Sequence, residues 1–271
     1  MDECFEKLGL SDIVLLKSAG QKDVYKGTSE SFGEIVIKII RPGQNAERIE
    51  REIEIIERLN EINTSIIFEH GSVTCSKGTF KYILEPFIEG MCLKDYLDLS
   101  GSLDYPEVVK FLKQMLEIIE ILEENQIIHR DIKPDNIIRK PDGTYYLIDF
   151  GIARDLDKVS LTATGAPNGP ATYAYAPMEQ IDNEKPNIDS RTDLYSTSLI
   201  AYEMINGGNP YYSIGDGVPQ IIRKVEKGEF SPLTSSDFED INEFIHTCMN
   251  KYIGRRPESA SYANEWFNQI I

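Results

Sequence analysis

The spacing of apolar residues along this chain changes about a third of the way in. Up to residue 85 they come in short β-branched or alternating runs; beyond that they recur mainly at helical spacing. The run Glu34-Ile35-Val36-Ile37-Lys38-Ile39-Ile40 predicts a buried strand, and Arg41-Pro42-Gly43 stops it. From Ala46 to Leu59, Ile49, Ile53, Ile56 and Leu59 recur with charged residues between them, the pattern of an amphipathic helix. Residues 66–85 alternate into two strands around Ser76-Lys77-Gly78.

Pro106 sits near the start of a long amphipathic helix that the pattern carries to about Asn125. A loop-and-strand region, Ile127 to Gly151, follows it. Residues 152–180 are rich in Thr, Ala, Gly and Pro and carry no period; such a long unpatterned stretch within a compact domain is usually functional. An apolar helix then runs from Asp193 to Asn206, with Gly207-Gly208 as its stop. Helical stretches at about 217–227 and 237–250 lead on to Trp266 and the end. The pattern predicts a strand-rich part, residues 1–85, with one main helix, and a larger, mostly helical part, residues 86–271, with a hinge rather than a linker between them.

Composition narrows the classes. The 271 residues suffice for one large domain or two lobes, and 41% hydrophobic with 27% charged residues is ordinary for a globular protein. No apolar run approaches the roughly 18 residues of a membrane span, and the acidic start Met1-Asp2-Glu3-Cys4 is unlike a secretory signal. Cys4, Cys75, Cys92 and Cys248 lie far apart, without metal or disulfide spacing, which points to a reducing cytoplasm. A formal net charge of −17 argues against nucleic acid and anionic membranes as partners, and weakly favours a basic protein. Oligomeric state leaves no mark in the sequence.

The densest chemical signal is His129-Arg130-Asp131-Ile132-Lys133-Pro134-Asp135-Asn136, followed by Asp149-Phe150-Gly151. With these motifs the chain resembles the eukaryotic-like (Hanks-type) serine/threonine protein kinases over nearly its whole length. The compact length and Pro177-Met178-Glu179-Gln180 look bacterial. The resemblance implies an α+β bilobal fold and transfer of the ATP γ-phosphate to Ser or Thr hydroxyls. Phosphoryl transfer needs positioning more than covalent help. Asp131 has the place of the carboxylate that orients the attacking hydroxyl, and Lys133 that of the residue bridging γ-phosphate and hydroxyl. Asn136 and Asp149 have the places of two oxygen ligands to Mg²⁺, with Mn²⁺ as an alternative.

The resemblance also implies that Lys38 grips the α- and β-phosphates and that Glu52 is its helix partner; Glu50 and Glu54 stand nearby. Leu84-Glu85-Pro86-Phe87 resembles the hinge, with Leu84 as gatekeeper and the backbones of Glu85 and Phe87 at the adenine edge. Leu16, Val24, Val36 and Ile138 complete the nucleotide set. Thr172 matches the threonine that touches the catalytic aspartate and lysine. Glu179 would pair with Arg256, and Asp193 would accept backbone N–H groups from the His129-Arg130 turn. Cys92 would start a short helix, where the dipole lowers a thiol's pKa.

The glycine-rich loop departs from the family. Counting back from Val24, Lys17, Ala19 and Lys22 stand where glycines belong, and only Gly20 remains. Lys22 at the loop tip either adds a cation near the triphosphate or points to solvent. The poor loop leaves a pseudokinase or scaffold as one alternative, and a small-molecule kinase of the aminoglycoside-phosphotransferase type is a more distant one. Arg130 before Asp131 implies an activating anion, with Thr164, then Thr162, then Ser160 as phosphorylation candidates, unless Asp155 or Asp157 serves.

Overall fold

A computed structural model describes residues 1–19, 22–41, 46–59, 63–150, 154–155, 172–233 and 238–271. The chain forms two compact units: residues 1–61 with 65–89, and residues 62–64 with 90–271. The boundary thus falls after Glu89, a few residues beyond the expected hinge.

The first unit is a five-stranded antiparallel sheet in the order β1-β2-β3-β5-β4. The strands are β1 (Leu10–Ala19), β2 (Lys22–Ser29), β3 (Gly33–Ile40), β4 (Glu69–Cys75) and β5 (Gly78–Pro86). Because side chains alternate across a strand, β3 feeds two cores. Ile35, Ile37 and Ile39 pack with Tyr82 and Leu84 of β5 and with Cys4 and Phe5 of a short helix, α1 (Asp2–Lys7). On the opposite face Ile40 packs with Ile83 and with Ile49 and Ile53 of α2 (Ala46–Arg58). Burial on both faces explains why β3 reads as a nearly unbroken β-branched run.

Helix α1 had no counterpart in the sequence reading, since six residues are too few to show a period. It is tied down by polar contacts as well. Glu3 accepts the Ser76 N–H at 2.8 Å, and Lys7 Nζ donates to the Thr74 carbonyl at 2.9 Å. Cys4 and Cys75 form a disulfide, correcting the expectation of four unpaired cysteines. A sequence separation of 71 gives no local signal; the pair meets only because α1 packs against β4. Among the described residues, Cys92 and Cys248 are free thiols.

In the second unit β6 (Met91–Cys92), β8 (Ile137–Arg139) and β9 (Tyr145–Leu147) form one small sheet, and β7 (Ile127–Ile128) pairs with β10 (Arg154–Asp155). The helices are α3 (Leu93–Ser100), α4 (Tyr105–Glu124), α5 (Met178–Ile181), α6 (Ser190–Asn206), α7 (Val218–Lys227), α8 (Glu239–Cys248) and α9 (Ala260–Ile270). Asp104 caps α4 by accepting the Glu107 N–H, with Pro106 in the first turn. Helix α6 is the axis of this unit: α4, α8 and α9 all pack on it, and nearly every residue from Ser190 to Met204 is buried. Gly207 ends it with a left-handed φ of 73°, a conformation that costs glycine little. Among the described residues, no helix is long and apolar enough to cross a membrane.

Cross-linking residues 71 apart constrains the unfolded chain by about 4 kcal/mol on a loop-entropy estimate. Urea unfolding of Cys75→Ser, or of reduced protein, is therefore expected to show about 2–4 kcal/mol less stability than the oxidised protein. Equal midpoints would contradict the bridge.

Candidate phosphotransfer site

The second unit builds its site on the turn between β7 and β8. Asp193, one turn into α6, accepts the His129 N–H on Oδ2 at 2.8 Å and the Arg130 N–H on Oδ1 at 2.9 Å. Burial pushes the Asp193 carboxyl up to about 7, against the pull of those two donors. Arg130 sits at φ 68°, a strained conformation for a residue with a Cβ, and these two bonds hold it there. Gln180 Nε2 adds a bond to the Arg130 carbonyl at 2.7 Å.

The His129 ring is fully buried, edge-on to Phe150 at 4.7 Å. Its Nδ1 accepts the Asp131 N–H at 3.3 Å, and its Nε2 lies 3.3 Å from the Ile148 carbonyl. These contacts fit one neutral tautomer, with the proton on Nε2. Burial lowers the His129 pKa to about 4.

Three predicted residues converge next to it. Lys133 Nζ donates to both Asp131 carboxylate oxygens at 2.8 Å. Asn136 Nδ2 donates to Asp131 Oδ2 at 2.8 Å and to its carbonyl at 2.9 Å. Burial raises the Asp131 pKa, Lys133 opposes that shift, and Asp149 adds to it. The β8–β9 hairpin places Asp149: Ile137 pairs with Leu147, and the Ile148 N–H donates to the Asn136 carbonyl at 2.9 Å. Asp149 also has a left-handed φ of 68°.

The oxygens here fit a hard divalent cation. With both Asn136 Nδ2 bonds spent on Asp131, Oδ1 is the amide's acceptor, and the Asp149 carboxylate is the second donor. Among the described residues no group of three or more His, Cys, Asp or Glu side chains could hold an ion alone. Phosphate and water oxygens would have to complete the shell.

Structural support lies nearby. Arg256 donates to both Glu179 oxygens, at 2.6 and 3.2 Å, and Thr192 Oγ1 adds a bond at 3.3 Å. The pair is buried, as expected from the motif. Thr172 is half-buried and its carbonyl accepts the Tyr175 N–H at 3.3 Å. Ile138 is half-buried in β8, paired with Cys92. Cys92 precedes α3 as expected, but its thiol donates to the Pro134 carbonyl at 3.4 Å, and burial raises its pKa. Desolvation outweighs the donors at the helix end, so the expected lowering is corrected. Ser160, Thr162, Thr164 and Asp157, together with Gly20 and Gly151, lie outside the described residues, as does the side chain of Asp155.

In the first unit the register places Val24 opposite Lys38 and Val36 opposite Glu85. By alternation Val24, Val36, Lys38 and Glu85 share the face that carries α2. Leu84 does not: it packs with Cys4 and Phe5 on the α1 face, which corrects its assignment as gatekeeper. The side chain that β5 turns toward Lys38 is Glu85, and the two form a buried ion pair. Lys38 lies 3.7 Å from Glu52, its expected partner. The Phe87 N–H donates to the Glu34 carbonyl at 3.2 Å, extending the β3–β5 ladder, so it is not free for the expected adenine contact. Leu16 is half exposed at an irregularity of β1. Lys22 does not point to solvent: its Nζ reaches Glu52 at 3.0 Å. The Glu85 side chain was legible as an acidic residue in the strand before the hinge, but the expected register used only its backbone.

A depressed base pKa makes the neutral ring the folded form. His129 therefore contributes stability that is complete above its unfolded pKa, near 6.5, and is lost as pH falls to about 4. That window corresponds to a loss on the order of 3 kcal/mol. NMR titration should find the Nε2–H tautomer intact at pH 5. An ordinary midpoint near 6.5 would contradict this environment.

A family model described as protein kinase domain matches residues 19–267. The chain is 28% identical over 214 residues to the serine/threonine-protein kinase PknB of Mycobacterium leprae, covering 78% of this chain and 33% of that protein. A probable serine/threonine-protein kinase of Clostridium perfringens is 28% identical over 246 residues, 88% of this chain and 34% of its own length. The serine/threonine-protein kinase PknA of Mycobacterium tuberculosis is 25% identical over 244 residues, 88% of this chain and 55% of its own length. The chain thus spans about a third of the first two relatives and about half of the third. With its Asp131-Lys133-Asn136 cluster, its Asp193-held turn and a family match over most of its length, the chain belongs to the protein kinase domain family.

Proposed function

We propose that the chain is a serine/threonine protein kinase that transfers the γ-phosphate of ATP to a protein hydroxyl. The observation that supports this best is the Asp131 carboxylate, held by Lys133 Nζ on both oxygens and by Asn136 Nδ2 on one. A carboxylate fixed in this way orients an incoming hydroxyl and takes its proton as the oxygen attacks the γ-phosphorus and the bond to the β-phosphate oxygen breaks. Burial raises its pKa and so its affinity for that proton. Lys133 compensates charge on the transferred group, and Lys38 holds the α- and β-phosphates. Asn136 and Asp149 would hold Mg²⁺, or Mn²⁺ in its place, which would supply charge neutralisation at the phosphates.

The net charge of −17 favours a basic protein substrate. ATP supply favours the cytoplasm, where thiol reductants would act on the Cys4–Cys75 bridge. A second reading, a weak or inactive kinase used as a binding module, is favoured by one observation: the close partner of Lys38 is Glu85 rather than Glu52.

Transfer of labelled phosphate from ATP to a basic protein, with Mg²⁺ present, separates the two. Asp131→Ala and Lys38→Ala are each expected to fold and to lose about 10²–10⁴-fold in turnover. Near-normal rates in either variant would sink the assignment, and an inactive wild type that still binds nucleotide would favour the second reading.

Regulation gives a separate expectation. Phosphorylation in the segment before Thr172 supplies about two negative charges for Arg130 to meet. Mass spectrometry of protein incubated with ATP should find phosphate on Thr164 first, with Thr162 and Ser160 as lesser sites. Full activity with no phosphate between residues 152 and 172 would contradict it.

A further inference from the structure

Two lysines and two glutamates meet on the α2 face of the first unit's sheet. Lys38 and Glu85 are 5% and 6% exposed and in direct contact. Glu52, also 6% exposed, takes Lys22 at 3.0 Å and stands 3.7 Å from Lys38. Sheet register explains the first pair. Glu85 is opposite Val36, two residues from Lys38, so the two side chains are diagonal neighbours on one face. The cluster is charge-balanced, and Lys38 is shared between two carboxylates of unequal distance.

We propose that Glu85 is a positioning residue that acts through Lys38: it holds the ammonium as a competing carboxylate, and a nucleotide's phosphates must draw Lys38 away from it. The proposal rests on the kinase reading in taking Lys38 as the phosphate-binding lysine. A cation already paired in a buried site gains less from a second anion than one left to a more distant partner. Glu85 therefore sets the affinity for the phosphate-bearing part of the ligand and leaves the nucleoside part untouched. Burial raises the Glu85 pKa and Glu52 adds to that shift, while Lys38 and Lys22 oppose it.

Glu85→Gln removes the charge and keeps the shape; Glu85→Met, of similar volume, is the second variant should the amide prevent folding. The measurement is calorimetric affinity for ADP and for adenosine, in wild type and variant, each also in a Lys38→Met background. ADP affinity is expected to rise about three- to tenfold on loss of the Glu85 charge. Adenosine affinity should stay within twofold, and the ADP gain should vanish without Lys38. Unchanged or weaker ADP binding, an equal shift for adenosine, or a gain that persists in Lys38→Met would each overturn the proposal. Because the readout is binding, a protein that transfers no phosphate yet shows the Lys38-dependent shift would sink the kinase reading and support Glu85's role. If neither wild type nor variant binds ADP, both fall.

Discussion

The hydrogen bonds from the His129 and Arg130 amides to Asp193 are what the second unit's site depends on. They join an irregular turn to the most buried helix of that unit, and they hold a residue with a Cβ in a left-handed conformation that it would otherwise leave. Once the turn is fixed, the rest follows by short links. The His129 ring meets the Asp131 amide, Lys133 and Asn136 reach the Asp131 carboxylate, and the Asn136 carbonyl ties down the strand end that carries Asp149. A buried carboxylate is costly unless its lone pairs are met. Here that cost keeps the turn from relaxing, because letting go of either amide would leave the charge short of donors.

The first unit solves a related problem differently. Lys22, Lys38, Glu52 and Glu85 meet on one face of the sheet and pair with one another there. A buried ion pair seldom contributes net stability compared with apolar residues of the same size. Its presence is better explained by what Lys38 is for than by the folding of the sheet. Stability comes from the two apolar clusters on either side of β3 and from the clip between α1 and β4.

Much of this was legible in the chain. The β-branched run of β3, the apolar spacing of α2, α4 and α6, and the stop at Gly207 gave the element order, because each is a local pattern that the structure had no reason to override. Asp131, Lys133 and Asn136 lie within six residues of one another, so their meeting was nearly settled by the turn they share. The errors have a common form. Leu84 and Glu85 are adjacent, and a one-residue slip in register exchanges the face on which each lies. The Glu52 partner of Lys22 likewise gives no local signal, because it lies thirty residues away on a helix.

The sequence by itself determined the family, the two-part organisation and the cluster around Asp131, since motif spacing and apolar period are properties of neighbouring residues. Tertiary structure alone decided the Cys4–Cys75 bridge, the burial that raises the Cys92 thiol's pKa, and the partner of Lys38. These depend on which strand faces and helix ends come together, and on desolvation, which a linear chain does not possess until it has folded.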